Sequence, residues 1–425
     1  MDPGSPVFRS TVILAATFGA CALRRVPYSP LDRPTIFLLG GIATVLAGVL
    51  TLDQAVAAVN LDVIALLLGM MLLAGGFAEA GVYARISRGL EPTARARPRL
   101  LLLIVLLGAG ALAAVVTNDT VCVFFAPLVI AVCRAAGRRP MPYLLALMLA
   151  ANTGSAATLV GNPQNMVIGV DAEHDPLAHL TFARYAALAL PVALGGLAVS
   201  YAFIAILYRG ELGSPAEKEG TLASAPYDST LAKVSVGALL VAVVLLLVGV
   251  KLVLAALIAA AVLLAFSRRD QHVFYPHVDV SLLVLFGGLF VVTAGAAQSG
   301  VVEALRVRFA PQAQAAFPGQ AIAMASFTTV GSQLVSNVPF VVATTPWLPK
   351  LAAPDGHRVL LALVSTLAGN LTLVGSVANL IVAGIARHDE PIGFFEHLRV
   401  GLPVTFFQVA GATAAVVLYV HLGWI

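Results

Sequence analysis

Amide and hydroxyl side chains interrupt otherwise apolar stretches of this chain, and they do so twice at one spacing. Asn152-Thr153-Gly154-Ser155 and Thr158-Leu159-Val160-Gly161-Asn162-Pro163-Gln164-Asn165 precede a second set by 214 positions. That set reads Gly369-Asn370 and Thr372-Leu373-Val374-Gly375-Ser376-Val377-Ala378-Asn379. Upstream of each lies a shorter phrase, Thr117-Asn118-Asp119-Thr120 and Ser336-Asn337-Val338-Pro339, shifted by 219. Leu61-Asp62-Val63 and Gly81 are echoed by Val278-Asp279-Val280 and Gly300. Three landmarks in one order at nearly one offset identify a duplicated chain. The chemistry on offer is binding. Asn, Ser and Thr oxygens with freed carbonyls suit a hard cation such as sodium. Free N–H groups at helix starts suit an anion.

These residues need elements that hold broken backbone in an apolar setting. Hydrophobic residues make up 60% of the chain and charged ones 11%, against roughly 25% charged in a soluble domain. Apolar runs at 34–52, 62–83, 99–117, 182–207, 232–249, 251–267, 279–298 and 400–420 approach or exceed the ~20 residues that cross a bilayer. Shorter runs at 11–23, 121–133, 141–151 and 359–368 flank the polar phrases. In hydrocarbon only helices satisfy their own backbone among open structures. The expectation is an all-α polytopic protein, multi-pass in the plasma (inner) membrane, with about 10–12 membrane segments. The bilayer is its partner, and the +4 charge marks loop topology rather than nucleic acid.

Loop arginines orient the chain. Arg24, Arg25 and Arg33 fill one loop, Arg85, Arg88, Arg95, Arg97 and Arg99 another, and 53–61 between them has no Lys or Arg. The positive-inside rule puts the basic loops in the cytoplasm. Arg134, Arg138 and Arg139 belong there too, so 99–134 enters and leaves on one side as a re-entrant hairpin. The next segment breaks within 141–170 and reaches an acidic outer loop with Asp171, Glu173 and Asp175. Repeat one covers 1–208, a cytoplasmic linker 209–232, and repeat two 233–425. The second hairpin lies around 320–349 and the second broken helix around 358–386. Repeat one starts outside and repeat two inside, which gives an inverted-topology repeat with two re-entrant hairpins and two broken transmembrane helices.

Backbone that stops being helical inside a membrane must be satisfied by protein or a wet cavity. The candidate binding residues are therefore Asn118, Asp119, Thr120, Asn152, Thr153, Thr158, Asn162 and Asn165 in repeat one. In repeat two they are Ser336, Asn337, Asn370, Thr372, Ser376 and Asn379. Asp119 stands apart as a carboxylate at a hairpin tip, a costly position that points to ion or proton coupling; its counterpart is Val338. Cys122 reads as a packed cysteine, and Asp62 and Asp279 read as helix caps. Ser200, Thr293 and Thr366 read as packing residues in apolar helices. No HExxH, GxSxG or Walker sequence is present, and Cys21, Cys122 and Cys133 have no metal spacing. The reading is a non-enzyme without cofactor, apart from a coupling sodium ion or proton.

At these residues the chain resembles the ion transporter superfamily, in its branch of arsenite permeases, citrate transporters and divalent-anion/sodium symporters. Asn152 through Asn165 and Gly369 through Asn379 match its two repeat motifs. Asn118-Asp119 is similar to the Asn-Asp pair of arsenite permeases, whereas dicarboxylate symporters carry Ser-Asn-Thr at both tips. The resemblance covers roughly residues 30–420. It implies a scaffold part and a moving transport part, ion-coupled transport, and a homodimer in the symporter branch. The expected function is secondary active transport of a small anion or oxyanion, or of arsenite/antimonite, on a sodium or proton gradient. The alternative is a passive anion channel or an ATPase-assisted efflux pore.

Overall fold

The computed structural model describes residues 5–22, 33–213, 226–301, 316–387 and 390–425. Arg24, Arg25, residues 214–225 of the linker, Arg306, Arg308 and His388 lie outside the described residues. Among the described residues there are helices and no strands.

Each polar phrase ends a helix. In repeat one, α1 (Pro6–Ala22), α2 (Arg33–Leu46), α3 (Leu52–Ala58) and α4 (Leu61–Glu79) lead through α5 (Val82–Ala96) to a hairpin. Its arms are α6 (Pro98–Ala113) and α7 (Asn118–Ala135). The broken helix follows as α8 (Met141–Ser155) and α9 (Pro163–His174), then α10 (Phe182–Leu207) and the short α11 (Arg209–Gly213). Repeat two runs α12 (Ser229–Leu247), α13 (Leu252–Phe266), two 3-10 turns and α14 (Val280–Gln298). Its hairpin is α15 (Phe317–Val335) and α16 (Asn337–Thr344), with a 3-10 segment at Thr345–Lys350. Its broken helix is α17 (Pro354–Ala368) and α18 (Val377–Ala386), closed by α19 (Phe394–His421).

Local chemistry fixes the breaks. Asn162 accepts the Asn165 N–H at 2.9 Å as N-cap of α9, and Pro163 takes the first helical position, where its missing N–H costs nothing. At 10 residues, α18 is ~15 Å long and spans only half of a ~30 Å hydrocarbon core. Among the described residues, six helices are long and apolar enough to cross a membrane: α4, α7, α10, α12, α14 and α19.

The repeats are interleaved by reciprocal packing. Helix α2 packs on α14 while its counterpart α13 packs on α4. Likewise α7 packs on α18, and α16 on α9. Every residue of α8 is buried, as are Gly356 through Ala368 of α17, so the helices leading into the breaks are shielded from lipid. Helices α6 and α8 touch at backbone distance: a Cβ on Gly154 would lie 2.1 Å from the Gly110 oxygen. Large apolar side chains are exposed on the outer faces of several helices, among them Leu194 of α10, Leu240 of α12 and Phe406 of α19. One expectation is corrected here. Asn60 rather than Asp62 caps α4, accepting the Val63 N–H at 3.2 Å. Asp62, one residue inside the helix, instead pairs with His174 at 3.2 Å.

Candidate functional site

The freed carbonyls of each break are held by one asparagine. Asn165 donates to Thr158 O at 2.9 Å, and Asn379 donates to Thr372 O at 3.2 Å and Gly369 O at 2.9 Å. The threonines tie each break to its hairpin. Thr158 Oγ1 donates to Ala114 O. Thr372 Oγ1 donates to Gln333 Oε1 at 2.8 Å, and Gln333 in turn reaches Ala368 O at 2.8 Å.

The two breaks then join through exchanged bonds. Asn152 Nδ2 donates to Asn370 Oδ1 at 3.0 Å and Asn379 Oδ1 at 3.1 Å. Its Oδ1 accepts from Ser376 Oγ at 3.0 Å and Asn118 Nδ2 at 3.1 Å. Thr366 does the same in the other direction. It accepts from Asn162 and Gln164, both at 3.2 Å, and donates to Asn165 Oδ1 at 3.2 Å. Thr366 lies 214 positions after Asn152, so equivalent positions grip the opposite repeat. Around this knot, Asn370 Nδ2 donates to Thr153 Oγ1 and Gln408 Oε1, and Gln408 Nε2 reaches Gly196 O and Ser200 Oγ. His397 Nε2 meets Asn370 O at 3.0 Å.

Thr366 and Ser200 are therefore parts of the polar knot rather than packing residues, and Gln164, Gln408 and His397 join without having been singled out. The 214-residue shift from Asn152 points to Thr366; no equivalent signal marks Gln408, whose counterpart is Leu194. Most candidate residues face one another instead of water: Asn152, Asn162, Asn165, Asn370 and Asn379 are buried.

Among the described residues, a cavity meets the knot at its edge. A cavity of about 480 Å³ is bordered by Thr117, Asp119, Thr120 and Pro163 from repeat one and by Val377 from repeat two. Its opposite wall carries His277 and Asp279. Asp279 caps α14 through the Leu282 N–H at 3.1 Å and faces the same space as Asp119. A second cavity of about 640 Å³ lies at the symmetry-related place, lined by Asn60, Asp62, Asp171, His174, Thr293 and Thr345. It reaches neither hairpin tip. Among the described lining residues of both cavities there is no Lys or Arg.

Beside the second cavity, polar contacts tie α9 and the loop after it to α4, α13 and α17. Glu173 Oε1 accepts the Leu252 N–H at 2.9 Å, alongside the His174–Asp62 pair. Buried Arg358 binds Asp171 at 3.1 Å, Asp175 at 2.6 Å and Asp355 at 3.0 Å. The Leu177 N–H and Arg358 hold the Asp175 carboxyl below its ordinary range.

The chain matches the citrate transporter family over residues 18–368. It is 30% identical to an uncharacterized transporter of Mycobacterium bovis, over 94% of this chain and 96% of that one. A silicon efflux transporter of Oryza sativa subsp. japonica is 27% identical over 91% of this chain and 92% of its own. The crystal structure of the Alcanivorax borkumensis YdaH transporter shares the fold, with TM-score 0.59, 15% identity and 99% of each chain covered.

Proposed function

Because the chain belongs to the citrate transporter family, a multi-pass membrane transporter is the premise, and we propose that it is a secondary transporter for a small uncharged, hydroxyl-bearing solute. Coupling runs through a proton or sodium ion at Asp119. Arsenous and silicic acids are of this kind, being protonated at neutral pH; one relative is named for silicon efflux.

The observation that carries this reading is the wall of the cavity at hairpin one. Asp119 and Asp279 line it, and none of its described lining residues is Lys or Arg. Two like charges 4 Å apart repel by about 4 kcal/mol at an effective dielectric near 20, which would be a heavy penalty for a citrate-like anion. A cation is attracted by the same carboxylates, and Thr117 and Thr120 offer hydroxyls to a neutral acid. Asn337 Oδ1, buried without a hydrogen-bond partner, supplies a further oxygen for solute or cation once tip two is exposed. The loop arginines set the cavity at hairpin one toward the cytoplasm.

The test is flux into reconstituted vesicles with arsenite, silicic acid, citrate and phosphate under imposed pH or sodium gradients. Wild type is expected to accumulate arsenite or silicic acid against its gradient. Asp119→Asn is expected to abolish that accumulation while reconstituting normally. Accumulation of citrate alone, or unchanged ion dependence in Asp119→Asn, overturns the reading; purely downhill flux makes the protein a channel.

A further inference from the structure

We propose that an apolar cavity beside hairpin one, separate from the solute path, holds one acyl chain of an anionic phospholipid from the leaflet on the arginine-rich face. The cavity has a volume of about 330 Å³ and lies between α5, α6 and α7. Ile86 and Leu90 line it from α5, Leu101 and Leu112 from α6, Val115 from the turn after it, and Phe125 from α7. From Leu101 to Leu112 it follows α6 for ~17 Å at 1.5 Å per residue, and Val115 carries it past the helix end. One leaflet of hydrocarbon is about 15 Å thick, half of the ~30 Å core, so the cavity runs from interface to midplane. Its walls are nearly wholly apolar, which suits a hydrocarbon tail and not a polar solute.

Gly108 keeps the middle open: a Cβ there would meet nothing within 4 Å. Protein interiors fill such space at crystal-like density, and the filler available in a membrane is a lipid tail.

Charge at the mouth selects the headgroup. Arg97 and Arg99 flank the start of α6, one turn or less from Leu101. Both are exposed and have no partner among the described residues. Arg95 frames the mouth by donating to Ala135 O at 2.9 Å, joining α5 to the end of α7. Basic clusters at this depth attract anionic lipid with about a fivefold gain per arginine. The inner end of the cavity, at Val115, is two residues from Thr117, so the bound chain buttresses the hairpin tip.

The test is native mass spectrometry of the full chain titrated with phosphatidylglycerol or phosphatidylcholine. Wild type is expected to retain one phosphatidylglycerol, with at least a fivefold preference over phosphatidylcholine. Arg97→Gln with Arg99→Gln, both surface changes, should erase the preference. Gly108→Leu with Ala111→Phe, which fills the cavity, should lose the retained lipid. Equal retention of the two lipids by wild type overturns the headgroup assignment. Undiminished retention in a folded Gly108→Leu/Ala111→Phe protein overturns the cavity. If that variant does not fold, the arginine pair decides alone: an unchanged preference rejects the proposal.

Discussion

The two hairpin tips descend from one sequence phrase and now differ in state. At the first, Thr117 has an ordinary φ of −71°, Asn118 N–H donates to Gly161 O at 3.0 Å, and the Asn118 side chain joins Asn152. At the second, Ser336 is held at φ +79°, ψ 157°, a region nearly reserved for glycine. There Asn337 Oδ1 is buried without a hydrogen-bond partner. The first tip borders an open cavity, whereas the second lies beyond reach of the cavity on its own side. The bridging contacts of Arg358, His174 and Glu173 gather on that second side. The lesson is that one repeated phrase supplies both a relaxed tip that borders a cavity and a strained one that the cavity on its own side does not reach. Under the proposed secondary transport, exchange of those states between the repeats would open access from the other face.

The sharpest way to break the asymmetry is at Arg358, whose repeat-one counterpart is Leu144. Arg358→Met strands carboxylates of both repeats and should cost about 3–5 kcal/mol, seen as a large fall in melting temperature in detergent. A fall no larger than that of a surface arginine would show that α9 and α17 are held together elsewhere. Next comes the knot. Asn152→Ala removes four hydrogen bonds and should cost about 3 kcal/mol, whereas Thr366→Ala removes three and should cost about 2 kcal/mol. Equal losses in the two melting temperatures would mean that the repeats share the knot evenly. The smallest effect is expected at the strained tip. Ser336→Gly should stabilise by about 1 kcal/mol by releasing the positive φ, and the matched Thr117→Gly should destabilise.

Much of this was legible because duplication leaves a periodic trace. Gly161-Asn162-Pro163 and Ser376 mark helix breaks wherever they occur, and their recurrence placed both breaks and both hairpins. What escaped has physical causes. An isolated Thr in an apolar helix usually bonds its own backbone, so Thr366 looked ordinary without its alignment to Asn152. Arg358 is not legible as a buried ion-pair residue because its three carboxylate partners are distributed over two distant segments. Asn152, Asn162, Asn165 and Asn379 were expected to face solute. They bond one another or freed carbonyls instead, since a broken backbone must be satisfied before any ligand is.

The most direct measurement is thiol labelling of Thr120→Cys in a background with Cys21, Cys122 and Cys133 changed to Ala. Sealed vesicles of both orientations are treated with a membrane-impermeant reagent. The account predicts labelling from the arginine-rich face, slowed by the transported solute. Labelling only from the opposite face, or a rate indifferent to solute, would contradict it.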